Sequence, residues 1–577
     1  MTNTETQSPA RLAANDSGRA DILAWADASG ENVFTSDTHF RRVLALYANK
    51  ERLAALEDEL TRFGAEVAGP IDALVCKNNE PLNLPRLDRW SDYGERTERI
   101  DHHPTYHEAG RYIYGSGVME AYRDHPNAIG ALSRFYISSY NGEAGHNCPL
   151  ACTAGVIRVL QELGSPMLKD KYLPGLLNRD YGEHLEGAQF LTEIQGGSDV
   201  GANAVRAEKA PDGTWRIHGE KWFCSNIDAD IFLMTARPYG AADGTAGLGL
   251  FLVPRTLDDG SVNEFYIRRL KEKLGTRSMA SGECDFNGAL AYHMGPLGSG
   301  FKNMMGLVIN TSRLYNAVGT CAVMRRAFLV ARGYAHHRQA FGTPIVNYPL
   351  VQETLADVRA EIDAMVSGTF HLAAMQDRLD RDQCDTNEQQ FFRVALNVNK
   401  SLTAQSGRWA CVQGIEILGG NGAIESFSVL PRLLRDSIVY ENWEGTHNTL
   451  FMQVYRDMHR YRLHEGFIAY LRGLLDEARA DEGARAGELD NSLSALEARI
   501  DEILEMNPAS ASLAMRPLAQ RMAYLMYACV RTWERTRQAP ADDNDEASLE
   551  HFLDLRLRAS RTASDARYLE RIAMLAQ

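Results

Sequence analysis

The strongest constraint on how this chain can fold is a change of hydrophobic period, made twice along its 577 residues. From about residue 34 to 188 apolar side chains recur at helical spacing. Val43, Leu44, Leu46 and Tyr47, followed by Leu53, Leu56 and Leu60, mark one face of a helix. Pro70, Pro81, Pro85 and Pro104 predict a loop-rich middle to this block, and Ala151–Leu163 reads as an apolar-faced helix following Pro149. Between about 189 and 297 the runs become short and β-rich. Trp215–Gly219, Ile231–Ala236, Gly249–Pro254 and Glu283–Phe286 are parted by Asp-Gly, glycine-rich or proline turns, the pattern of a small barrel or sandwich.

Helical spacing then returns. Tyr315–His337, Val351–Arg378 and Phe391–Glu416 predict three long helices, the last stopped at Gly419-Gly420. Residues 459–577 are helical again, with a disordered-looking break at Pro540–Glu546. The expected fold is mainly α with a central β domain. Its parts are an N-terminal extension (1–33), a helical N-terminal domain (34–188), a β-barrel (189–297), a helical bundle (298–458) and an additional helical region (459–577).

Composition removes several function classes. A net charge of −15 repels the phosphates of nucleic acids, so non-specific nucleic-acid binding is not expected. From Arg460 onward there are sixteen arginines, no lysine and twenty acidic residues, so the last region is not basic either. No run of about 18 apolar residues predicts a membrane span. The polar, acidic first thirty residues do not read as a secretory signal, which makes the cytoplasm the expected location. The nine cysteines are scattered without Cys-x-x-Cys, and they read as buried reduced thiols, Cys148 and Cys152 included. His102, His103 and His107 read as a surface cluster, and no metal site is predicted.

Three segments carry chemistry: Leu191–Val200 (with Thr192-Glu193 and Gln195-Gly196-Gly197-Ser198-Asp199), Ile417–Gly422, and Ile438–Asn448 with Trp443-Glu444-Gly445-Thr446. In this order, around a β-rich block, they resemble the acyl-CoA dehydrogenase superfamily. The resemblance covers roughly residues 110–460 and includes Lys221-Trp222-Phe223, Lys273-Leu274-Gly275 and Met324–Phe328. It implies that family's fold, FAD as cofactor and an acyl-CoA thioester as substrate, with an extra helical C-terminal region.

Desaturating such a thioester requires loss of an α-proton and a β-hydride. The α-C–H is too weak an acid to lose its proton in water, so a desolvated carboxylate must wait beside it. The resemblance assigns that base to Glu444. A base carried by the third block in some relatives matches Ser312 here, which cannot serve. It places Arg313, Ser198 and Gly445 near the substrate, Arg313 at the substrate mouth. Thr192, Gly197, Ser198, Phe223 and Ser225 are implied to contact the flavin, Ser225 beside its reactive nitrogen. Arg338 and Phe341 are implied to reach the FAD of a neighbouring subunit. The Gly419-Gly420 turn offers backbone amides as an anion nest or is a simple helix cap, Thr446 and Asn448 are implied near the adenylate half of FAD, and Glu416 suits phosphate poorly. His447 has no implied role. A shared cofactor implies a homodimer or homotetramer. The implied electron acceptor is an electron-transfer flavoprotein; the alternatives are an oxidase passing electrons to oxygen and a DNA-associated protective flavoprotein.

Overall fold

A computed structural model describes residues 13–28, 30–124, 126–538, 543–558 and 565–577. Within the expected N-terminal extension, Ala13–Asp27 is a helix whose Trp25 stacks on Phe427 at 5.3 Å and meets Tyr334 edge-on at 5.4 Å; residues 1–12 lie outside the described ones. The helices Thr38–Tyr47, Leu53–Glu66, Asp72–Asn78, Pro104–Gly115, Ala128–Ser139, Ala144–Leu163 and Pro166–Leu176 build the first part of the chain.

The prolines there act differently from expectation. Pro70 sits inside a π-helical turn, Val67–Ile71, that joins two helices and does not break them. The expected loop contains an antiparallel hairpin, Arg86–Trp90 with Arg96–Asp101, turning at Gly94, whose φ of +79° suits glycine. Arg96 fastens it to the barrel by donating to the Phe265 and Asn263 carbonyls at 2.6 and 3.0 Å. The Pro149 helix starts earlier than predicted, at Ala144, capped by the Glu143 carboxylate on the Gly145 N–H at 2.7 Å. Pro149 has no N–H for the Gly145 carbonyl four residues back. The Tyr106 hydroxyl donates to that carbonyl instead, at 3.1 Å, which lets the helix run through the proline.

The β block is a seven-stranded sheet closed on itself. Ile231–Pro238 pairs with Arg206–Lys209, which pairs with Trp215–Ser225, then Ser281–His293, then Gly249–Pro254, which returns to Ile231–Pro238. Gly187–Phe190 and Phe265–Leu270 attach to this circuit. Inward residues such as Ile217, Phe232, Phe251, Phe265 and Phe286 fill its core.

The remaining helices are longer than the periodic stripes because their caps lie outside the apolar pattern. Asn310–His337 follows a π-helical turn; Pro349–Leu379 opens on a proline at its first turn; Thr386–Leu418 opens on the Asp385/Glu388 capping box. Leu430–Tyr440 and His447–Tyr461 complete the bundle.

The last region packs into this bundle. The Tyr527 hydroxyl donates to Asn399 Oδ1 at 2.8 Å, and Gly368 leaves room for the Tyr527 ring. Buried Asp545 accepts from Arg531, Arg535 and, across the whole chain, Arg42 at 2.8, 2.9 and 2.9 Å. Asp543–Glu546, expected as a disordered break, form the first turn of the helix Asp543–Arg556, where carboxylates suit the N-terminal dipole; Pro540–Asp542 lie outside the described residues. Among the described residues no helix is long and apolar enough to cross a membrane.

Candidate active site

A cavity of about 600 Å³ lies between the Ala144–Leu163 helix, the barrel, the helix Asn310–His337 and the turn that follows Tyr440. Glu444 lines it from the apex of that turn, with φ at +51°, a left-handed conformation that a non-glycine residue adopts only when its surroundings compel it. Several groups compel it. Lys400 Nζ donates to the Glu441 and Gly445 carbonyls at 3.1 and 3.0 Å, gripping both sides of the turn. Arg313 Nε donates to the Glu444 carbonyl at 3.2 Å. His447 Nε2 lies 2.8 Å from Glu441 Oε2 and its Nδ1 lies 2.8 Å from Ser401 Oγ, so the histidine with no predicted role clasps the turn's two ends.

The carboxylate itself takes one hydrogen bond, from Asn316 Nδ2 to Oε2 at 3.1 Å. Burial pushes its pKa up to about 7, although Lys400, Arg313 and the Asn316 hydrogen bond all pull it down. Burial likewise holds the Lys400 ammonium below its ordinary range, opposed by Glu444. Glu444 is thus poised to exchange a proton near neutrality. Arg313 borders the cavity but is only 3% exposed; its guanidinium is bound to Asn397 and Gln453 as well as to the Glu444 carbonyl. It supports the Glu444 turn from behind and does not stand at a mouth.

Across the cavity the Thr192–Ser198 loop is pinned by a buried pair that sequence reasoning missed. Lys221 Nζ meets Glu193 Oε1 at 2.8 Å, the side chains 0% and 2% exposed, while the Glu193 carboxylate also accepts from the Ala204 N–H at 2.5 Å. The Trp222 N–H donates to the Thr192 carbonyl at 2.9 Å. A Cβ on Gly197 would fall 2.5 Å from Thr192 Oγ1, so only glycine leaves that hydroxyl its place. Ser198 Oγ lies 3.3 Å from Thr449 Oγ1, which lies 3.1 Å from Thr446 Oγ1, so Thr449 adds a further hydroxyl to the cavity.

The structure brings Thr192, Gly197, Ser198, Phe223, Ser225, Arg313, Glu444, Gly445 and Thr446 to this one cavity. Phe223 is 51% exposed, a large ring face left open on it. Five predicted residues lie elsewhere. Asn448 turns to Arg516 at 3.3 Å. Gly419 and Gly420 are exposed after the helix Thr386–Leu418, and Arg338 and the 99% exposed Phe341 sit at a two-stranded hairpin, Gln339–Ala340 with Thr343–Pro344. Cys148 and Cys152 are buried free thiols, as expected, and border the cavity beside Met279 and Trp443. All nine cysteines are free, Cys76 exposed. His102, expected at the surface, is half-buried, its side chain 4% exposed and bonded to Asp228 at 2.9 Å. No group of three metal-ligating side chains occurs among the described residues.

The cavity thus brings a buried carboxylate of raised pKa, an exposed ring and hydroxyl-bearing loops together where the barrel meets the helical parts. Comparison with known proteins gives the family. Residues 25–183 match the N-terminal domain of the adaptive response protein AidB, 188–289 the acyl-CoA dehydrogenase middle domain, and 298–459 the acyl-CoA dehydrogenase C-terminal domain. The chain is 32% identical over 415 residues to the putative acyl-CoA dehydrogenase AidB of Escherichia coli (strain K12), covering 70% of this chain and 74% of that one. It belongs to the acyl-CoA dehydrogenase family. Two solved structures share its fold. One is Caenorhabditis elegans ACDH-11 in complex with C11-CoA (TM-score 0.85, 24% identity, 92% and 91% of the two chains). The other is a Bacillus anthracis acyl-CoA dehydrogenase complexed with FAD (TM-score 0.68, 17% identity, 92% of each).

Proposed function

We propose that this protein is an FAD-dependent dehydrogenase that removes the α- and β-hydrogens of an acyl-CoA thioester, with Glu444 as the base. The observation that carries this reading is Glu444 itself: a strained, clamped carboxylate at the wall of a large cavity, its pKa raised to about 7 by burial. A base works best when its pKa matches the working pH and its position is fixed before the substrate arrives.

The residues present suit FAD. Gly197 and its neighbour Gly196, whose φ is +121°, offer bare backbone for close approach. Phe223 presents a ring face, and Thr192, Ser198, Ser225, Thr446 and Thr449 supply hydroxyls without an opposing carboxylate among them. When bound, FAD supplies the two-electron acceptor for the hydride. The chain's own residues do the rest: Glu444 takes the α-proton, Asn316 keeps its carboxylate aimed, and Lys400, Arg313 and His447 hold the turn. The exposed Phe341, at the hairpin beside half-buried Arg338, and the exposed Gly419-Gly420 turn support a cofactor site completed by a second copy, hence a homodimer or homotetramer. An electron-transfer flavoprotein is the acceptor that fits a family dehydrogenase.

The test is anaerobic titration of the purified protein with short, branched, aromatic and long acyl-CoAs, following the visible flavin absorbance. Bleaching by one class, lost at least ~10²-fold in rate in Glu444→Gln with FAD retained, is the expected result. Unimpaired bleaching by that variant would assign the base elsewhere.

A further inference from the structure

Two lysines follow the barrel strand Phe265–Leu270, and they are used differently. Lys271 Nζ meets Glu283 at 2.8 Å and lies 3.7 Å from the centre of the Trp222 ring. Lys273 borders the cavity, and among the described residues no carboxylate lies within ion-pair distance of it. Its ammonium donates to the Met279 carbonyl at 2.7 Å and to Ser281 Oγ at 3.1 Å. Burial holds its pKa down at about 8, and Cys148 and Asp436 oppose that only in part. A positive charge kept in a cavity without a counter-ion is costly, and it is relieved when negative charge appears nearby.

The hydroxyls beside it define where that charge belongs. Ser281 Oγ lies 3.5 Å from Ser225 Oγ, and Ser225 lines the cavity. An ammonium only donates, so Ser281 Oγ accepts from it. The charge turns the Ser281 hydrogen away from itself, towards Ser225, and frees the Ser225 hydrogen to point into the cavity. We propose that Lys273 is a positioning residue that makes Ser225 a hydrogen-bond donor into the cavity and so stabilises the negative charge that bound FAD gains on reduction. In that reduction the substrate gives its α-proton to Glu444 and its β-hydrogen, as hydride, to FAD, which carries the added electron pair and one added negative charge. The inference rests on FAD occupying this cavity, as the proposed function has it.

The experiment measures the reduction potential of the full-length, FAD-loaded protein against a reference dye during slow chemical reduction, with no thioester present. Lys273→Met is expected to lower the reduced-to-oxidised ratio at fixed potential about tenfold, the scale of one charge-assisted hydrogen bond, or about 30 mV for a two-electron couple. Lys273→Arg is expected to recover most of it. Ser281→Ala keeps the ammonium but breaks the relay, and is expected to shift the ratio the same way by a smaller factor. An unchanged potential in FAD-loaded Lys273→Met overturns the proposal. So does an unchanged potential in Ser281→Ala, which decides the matter even if Lys273→Met fails to fold. A protein that takes up no FAD overturns this proposal and the cofactor reading together. Failure of every thioester to bleach the flavin would count against the proposed reaction alone, because the reductant here is chemical.

Discussion

Asn316 donates to Glu444 Oε2 from 3.1 Å and to the Tyr440 carbonyl from the same nitrogen at 3.1 Å, tying the one carboxylate that lines the cavity among the described residues to the helix that faces it. The bond favours the ionised form of Glu444, and its loss should let burial push the pKa further up. Asn316→Ala is expected to move the midpoint of the pH–rate profile for flavin reduction upward from about 7, by roughly one unit. A profile that stays in place would mean the hydrogen bond does not tune the base.

Glu444 also links stability to pH. Its folded-state pKa, about 7, stands above the ordinary glutamate value of 4.5, so the folded protein binds the extra proton between those values. Stability contributed by the protonated group is complete below pH ~4.5 and is lost as pH rises through ~7, by at most about 3 kcal/mol. Glu444→Gln removes that loss. Its unfolding midpoint should rise relative to the parent's between pH 5 and pH 8, and denaturant titrations at both values check this.

Gly197 is predicted to tolerate no side chain while Thr192 keeps its hydroxyl. Gly197→Ala sets a methyl 2.5 Å from Thr192 Oγ1 and should displace the loop, lowering the FAD content of the purified protein severalfold. The double variant Thr192→Ala/Gly197→Ala removes the clash and should recover part of the FAD. Equal loss in both variants would place the damage elsewhere.

The Lys221–Glu193 pair is buried on both sides, so deleting one partner strands the other charge. Lys221→Met is expected to cost about 3–5 kcal/mol. Pairing it with Glu193→Gln should return much of that, since no lone charge is left buried. Calorimetric or denaturant unfolding of the single and double variants measures the difference.

The order of helical and β-rich blocks was legible in the sequence because apolar period reports which face is buried. Element ends were less so. Thr386–Leu418 begins five residues before its apolar stripe, since Asp385 and Glu388 fix its start by hydrogen bonds. The hairpin at Arg86–Asp101 has polar residues on both faces and no alternation to give it away. Glu444 and the glycine-rich loop were legible as motifs. The groups that hold them, Asn316, Lys400 and the Lys221–Glu193 pair, act across 128, 45 and 28 residues, separations at which spacing carries no signal. His447 looked roleless for a different reason: its partners Glu441 and Ser401 meet only once the turn is folded.

The bond from Arg42 to Asp545 spans 503 residues, and it sets a timetable for the chain. On a ribosome moving at roughly 5–20 residues per second, about 25–100 s separate the emergence of the two partners. Throughout that interval the Thr38–Tyr47 helix lacks the carboxylate that Arg42 will meet, and the bundle lacks Tyr527 and the helices around it. Until those helices emerge, the bundle faces that Tyr527 and its neighbours cover in the finished fold stay uncovered.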